Sequence, residues 1–281
     1  MPTVTETAFA KINLFLDVTG RRSDGYHTIR SVMQTVTFGD TVTVEKADRT
    51  VMTCDDPTLS CGPDNLCRRA AEAFFAARGE AGGCRIALVK RIPCEAGLGG
   101  GSADGAAVLR ALNRLYGEPF SLDRLAAVGA AIGADVPFCV VGGTRLAEGI
   151  GERLSPCPPC PPCSVVIADG IGKSATAAAY RALDALPDSR SEGEAAWRRF
   201  SGALAAGSLT ALGKALYNRF EAALPAAGRV VSLLDALGAD GARMTGSGSA
   251  VYGLFADPDR AAFAARALRT AGFSAVTAGT V

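Results

Sequence analysis

At 281 residues the chain exceeds the ~250 at which a single hydrophobic core stops growing, so two domains are expected. Its 48% hydrophobic and 20% charged residues, with 33 glycines, describe a turn-rich globular protein and exclude a disordered or fibrous chain. With 29 basic against 28 acidic residues there is no global field for nucleic acid or an anionic membrane, which leaves a small molecule as the expected partner.

The amino end carries no basic segment followed by an apolar one, and no apolar run approaches the ~20 residues of a membrane helix. Nine scattered cysteines, an odd number, read as reduced thiols, so the expected location is cytoplasmic. From Ala8 to Val18 the even positions are all apolar, while the odd ones include Lys11, Asn13 and Asp17. That period of two predicts a strand with one buried face and puts Lys11 and Asn13 side by side on the other. Arg21 to His27 reads as a turn, followed by strands around Val32–Val36 and Thr41–Glu45.

A helix is predicted from an Asp64 N-cap to Gly79, then a strand over Cys84–Ile92. After Gly97-Leu98-Gly99-Gly100-Gly101-Ser102, a helix capped by Ser102 runs to Gly117, and another spans Ser121 to Ile132. The proline-dense stretch Leu154–Cys163 reads as a linker and places the boundary near Ser155, giving domains 1–155 and 156–281. Beyond it come a strand (Val165–Ala168), helices with a polar loop over Asp188–Glu194, a helix (Arg229–Leu237), strands at Met244 and Val251–Phe255, and a final alanine-rich helix.

The glycine turn suits a polyphosphate, because glycines admit positive φ and the following helix end adds roughly half a positive charge. It could also be a plain strand-to-helix bend. It lacks the Lys-Ser/Thr of a Walker loop and the spacing of the dinucleotide fingerprint. A second turn, Thr245-Gly246-Ser247-Gly248-Ser249, either folds over phosphates or simply reverses the chain. Asp135, two residues before Pro137, fits a helix N-cap, and Lys11 could be an exposed strand lysine. His27, the only histidine, is either a ligand contact or a surface residue. Cys157-Pro-Pro-Cys160-Pro-Pro-Cys163 imitates cluster-ligand spacing, but no cysteine follows it and its prolines remove N–H donors, so a stiff linker is expected.

In order along the chain, Ala10-Lys11-Ile12-Asn13-Leu14-Phe15-Leu16, Arg22-Ser23-Asp24-Gly25-Tyr26-His27, Gly97 to Ala103, Gly133-Ala134-Asp135-Val136-Pro137-Phe138 and Met244 to Ser249 resemble the GHMP kinases, the superfamily of galactokinase, homoserine kinase and mevalonate kinase. The narrowest likeness, through the Lys-Ile-Asn strand and the Asp-Gly-Tyr-His turn, is to the branch that phosphorylates a cytidylated methylerythritol on the non-mevalonate route to isoprenoid precursors. The resemblance implies an α+β fold of two domains, an N-terminal ribosomal-protein-S5-like domain with the phosphate loop and a C-terminal ferredoxin-like domain. It implies ATP and Mg2+ as cofactors, with metal ligands unidentified, and a monomer or weak homodimer.

The same resemblance implies that Asp135 accepts the proton of the 2-hydroxyl while Lys11 orients it and neutralises charge. ATP would lie on Pro93-Cys94-Glu95-Ala96-Gly97-Leu98-Gly99-Gly100-Gly101-Ser102-Ala103. Asn13 would hold the alcohol, His27 the cytosine edge, and Tyr26 and Tyr180 the two faces of that base. Three positions depart from the family pattern: Cys94-Glu95 before the loop, Arg219 where aspartate is usual, and Asp169-Gly170 without the usual proline. Glu95, an acid beside phosphates, is expected to point away or be paired.

Overall fold

The alternation near the amino end belongs to β1 (Thr3–Arg21), which turns through Asp24-Gly25 into β2 (His27–Ala47). β2 unites what reads in sequence as two strands, and Gly39 within it is required because an added Cβ would stand 2.6 Å from the Ala8 carbonyl oxygen. The computed structural model describes residues 2–169, 176–186 and 190–281. Its contacts divide it into two compact units that interleave along the chain, so Ser155 falls inside the second unit.

The first unit gathers the chain up to Ala10 with Phe38–Cys94 and Gly99–Gly142. The Thr41–Ala47 stretch of β2 pairs antiparallel with β4 (Gly83–Val89), and β3 (Val51–Cys54) lies parallel to β4. Helices α1 (Leu66–Arg78), α2 (Gly100–Leu115), α3 (Leu122–Ala130) and α4 (Val136–Val141) complete it. Val42, Val44 and Ile86 from the strands and Phe74, Val108, Leu112 and Leu125 from the helices share one core. Asn65, not Asp64, caps α1, accepting from the Cys67 amide at 2.9 Å, while Asp64 accepts from Ser60 Oγ. Ser121 caps α3 as expected.

The second unit holds Lys11–Thr37, Glu95–Leu98 and Gly143–Val281. Here β5 (Thr144–Gly149) pairs with the Ile29–Gln34 stretch of β2, and β6 (Arg153–Pro156) with β5. After β7 (Ser164–Asp169) come α5 (Thr176–Asp184), α6 (Arg190–Ala205), α7 (Leu209–Ala215) and the short β8 (Tyr217–Asn218), parallel to β1 at Phe15–Leu16. Then follow α8 (Ala227–Ala236), β9 (Gly241–Met244), β10 (Val251–Phe255), α9 (Pro258–Thr270) and β11 (Ser274–Gly279). The sheet order β11-β7-β10-β9, all antiparallel, with α8 and α9 as the crossing helices, is the split βαβ arrangement of a ferredoxin-like domain. The α+β class therefore holds.

Several expectations need correction. Both faces of β1 are buried from Ala10 to Asp17, so the period of two marks chemistry rather than exposure. The polar run expected as a loop over Asp188–Glu194 enters α6 at Arg190, and 187–189 lie outside the described residues. The proline-rich stretch is packed, not free: the buried Cys160 donates its amide to Thr144 Oγ1 at 2.9 Å, and Cys163 and Thr280 exchange hydrogen bonds of 3.1 Å.

Candidate active site

The glycine turn has the backbone its sequence asks for. Gly97 and Gly99 have φ of 80° and 70°, and Glu95 joins them at 58°. Gly99, not Ser102, is the N-cap of α2; no side chain caps that end and no acid occupies its first turn, so the helix dipole is left uncovered. Glu95 is exposed.

The second glycine turn proves to be a buttress for the first. A Cβ on Gly97 would stand 2.2 Å from the Thr245 carbonyl oxygen, and one on Gly246 would stand 2.8 Å from the Gly97 Cα. The Ala250 amide donates to the Ala96 carbonyl at 3.0 Å. Backbone meets backbone here, which no other residue type permits. Gly97→Ala is expected to cost about 1–3 kcal/mol by overpacking, read as a melting temperature lower by roughly 2–12 °C.

Lys11 lies on β1 with only 4% of its surface exposed, so the exposed-lysine alternative falls away. Its amide donates to the Leu98 carbonyl at 3.0 Å, fastening the strand to the loop. Its Nζ donates to Asn13 Oδ1 at 2.6 Å, and the same oxygen accepts from the Gly246 amide at 2.9 Å. Thr245 Oγ1 lies 3.2 Å from both Asn13 Oδ1 and the Gly97 carbonyl, and accepts from the Asn13 amide at 3.1 Å. Asn13 Nδ2 donates to Ser31 Oγ at 2.8 Å. Asn13 is thus the joint between lysine, loop and buttress.

Asp135 occupies the N-cap position of α4, as its sequence context predicts, yet its side chain makes no capping hydrogen bond. It is half-buried.

His27, Tyr180 and Asp184 form a cluster. The rings of His27 and Tyr180 stack at 4.6 Å and 19°, and Tyr180 also meets Phe220 edge-on at 4.9 Å. His27 Nε2 lies 2.7 Å from Asp184 Oδ1. His27 and Tyr180 therefore cover one another, where the resemblance had Tyr180 facing a base. Tyr26 is 62% exposed, its amide donating to Asp24 Oδ1 at 3.2 Å. Asp184 was missed in the sequence, because nothing local distinguishes it from any exposed helix acid.

All nine cysteines are free thiols, and among the described residues no three His, Cys, Asp or Glu side chains gather to hold a metal ion. Among the described residues no helix is long and apolar enough to cross a membrane.

The chain matches the model of the GHMP kinases N terminal domain over residues 65–143 and that of the GHMP kinases C terminal domain over 200–274. It is 43% identical over 259 residues to the 4-diphosphocytidyl-2-C-methyl-D-erythritol kinase of Desulfitobacterium hafniense (strain Y51), covering 90% of this chain and 88% of that one. A crystal structure of 4-(cytidine 5'-diphospho)-2C-methyl-D-erythritol kinase superposes with a TM-score of 0.80 at 37% identity, over 99% of both chains. Homoserine kinase from Cytophaga hutchinsonii shares the fold at 17% identity, with a TM-score of 0.81 over 100% of this chain and 95% of that one. By these likenesses the chain belongs to the GHMP kinases and, within them, to the 4-diphosphocytidyl-2-C-methyl-D-erythritol kinase family.

Proposed function

We propose that this chain transfers the terminal phosphate of ATP to the 2-hydroxyl of 4-diphosphocytidyl-2-C-methyl-D-erythritol, on the non-mevalonate route to isoprenoid precursors. The observation that carries it is the buried Lys11, held by Asn13 on a strand bonded directly to the glycine loop. Phosphoryl transfer asks a protein for positioning and charge stabilisation rather than covalent chemistry, and that arrangement supplies both.

In this reading the run from Pro93 to Ala103 holds ATP, its triphosphate set against the uncapped end of α2. Asp135 accepts the proton of the attacking hydroxyl, and Lys11 offsets the charge that develops on the phosphoryl oxygens. Asn13 acts first by fixing Lys11 and second by offering its amide edge to the alcohol. Magnesium, arriving with ATP, would supply charge neutralisation at the phosphates that Lys11 and the α2 end also serve. His27 reads the cytosine edge, and Tyr26 with Tyr180 flank the base once Tyr180 leaves the His27 ring. The reaction is placed in the cytoplasm, by a monomer or weak homodimer.

A coupled assay of ATP turnover with the cytidylated alcohol, and with the same alcohol lacking cytidine, tests the reading. Turnover confined to the cytidylated compound is expected; equal turnover of both would refute it. Asp184→Ala removes the partner of His27 Nε2. Loss of a charged hydrogen bond predicts about a tenfold rise in KM for the cytidylated substrate, with kcat little changed.

A further inference from the structure

A cluster of buried charge sits beneath the start of α2, and the chemistry described so far does not use it. Lys90, directly after β4, reaches two acids: it donates to Asp40 Oδ2 on β2 and to Asp104 Oδ2 on α2, the second at 2.8 Å. Asp40 is fully buried and Asp104 is 3% exposed. Asp40 Oδ1 also accepts from the amides of Arg91 and Ile92, the second at 2.7 Å. The three side chains therefore pin two things at once, the chain entering the glycine loop and the first turns of the helix that leaves it. A Cβ on Gly100 would already come within 3.4 Å of Lys90 Nζ, so the ammonium lies against the first residue of α2.

The charge count is unusual. One lysine against two ionised acids leaves the cluster at −1, under a helix end that the proposed function gives to an anion. Two observations argue that the second acid is neutral. Both carboxyls lean on the one Lys90 ammonium, which cannot offset two buried negative charges, and Asp104 Oδ1 is buried with no hydrogen-bond partner, an expensive place for a full charge. Burial raises the Asp104 pKa to about 7, with Lys90 opposing that rise and Asp40 adding to it. Cys67, on the facing α1, also lies in this field with Cys54 of β3, and burial holds the Cys67 thiol protonated.

We propose that Lys90 and Asp104 are positioning residues for the nucleotide phosphates, holding the loop-bearing end of α2 through a charge-neutral triad with Asp40; this rests on the glycine loop being the ATP site. Deprotonation of Asp104 adds a negative charge close to where the phosphates bind. The sign follows: the neutral triad prevails below about pH 7 and supports anion binding, and that support fades as pH rises through this value. Asp104→Asn freezes the neutral state at nearly the same shape.

The test is ATP affinity, by titration of the purified full chain with Mg-ATP, for wild type and Asp104→Asn from about pH 6 to about pH 8.5. Taking the ratio of the two affinities at each pH cancels the ionisation of ATP itself. The variant is expected to match wild type at the acid end and to bind about 3–10 times more tightly at the alkaline end. A ratio that is flat across the range overturns the proposal, even if the variant melts at a lower temperature, because a purely structural role has no reason to track pH. Lys90→Met, which strips both acids of their cation, is expected to raise KM for ATP about tenfold or more with kcat within about threefold; equal loss in both counts against it. If Lys90→Met does not fold, the Asp104→Asn ratio alone decides.

Gly101→Asp separates this from failure of the loop reading. Gly101 is exposed, its nearest neighbour to an added Cβ is Leu66 Cδ1 at 3.5 Å, and an acid in the first turn favours the helix. Its ATP affinity is expected to fall about tenfold or more if phosphate binds there. Unchanged affinity sinks the loop assignment and the proposal with it. Weakened affinity with a flat Asp104→Asn ratio sinks the proposal alone.

Discussion

Asp135→Asn is expected to keep ATP affinity and lose about 10²–10⁴ in kcat, the usual worth of a positioned proton acceptor. The substitution is nearly isosteric and Asp135 makes no capping bond to α4, so the helix loses nothing it was using. Stability is therefore expected to stay put while turnover collapses, a combination that distinguishes a chemical role from a structural one. Steady-state kinetics with the cytidylated substrate, beside a melting curve, make the measurement. A variant that turns over like wild type would remove Asp135 from the mechanism.

Lys11→Met should come second, with kcat lower by about 10²–10³, the range seen when one donor to a developing oxyanion is lost. Methionine keeps the length of the stem inside a site only 4% exposed. Asn13 Oδ1 keeps the Gly246 amide at 2.9 Å and the Thr245 hydroxyl at 3.2 Å, so the joint between the glycine turns survives. The fold is expected to hold within a few degrees, and ATP affinity to suffer less than turnover. Equal losses in kcat and in thermal stability would mean that the lysine serves the core and not the phosphate.

Much of this was legible before the structure. The glycine turn, the second helix and the strands over Val165–Ala168 and Val251–Phe255 were legible through local rules, because turn chemistry and periodicity are written in neighbouring residues, while the ferredoxin-like arrangement came only from the family resemblance. What local reading lost depended on distance. Thr245 and Gly246 read as an ambiguous bend, and only their contact with Gly97 and Asn13 shows them to be a buttress. β11, Ser-Ala-Val-Thr-Ala-Gly, escaped notice because its small residues carry almost no hydrophobic signal and its place is set by pairing with β7. Lys90, Asp40 and Asp104 gave no local signal, since nothing in their spacing reveals that they are buried together. The two strands read around Val32–Val36 and Thr41–Glu45 are one, with Gly39 between them letting β1 pass close.

The hydrogen bonds that join Asn13 with Thr245 and Gly246 bridge 232 and 233 residues. A ribosome adding about 5–20 residues per second separates the making of those partners by roughly 12–46 s. During that interval the strand bearing Lys11 exists without the turn that pins it, and the glycine loop exists without its support. The complete cradle appears only once residue 246 has left the ribosome. A nascent chain paused before residue 245 would carry nearly every residue the reaction needs and still present an unfinished cradle to the cell's quality-control machinery.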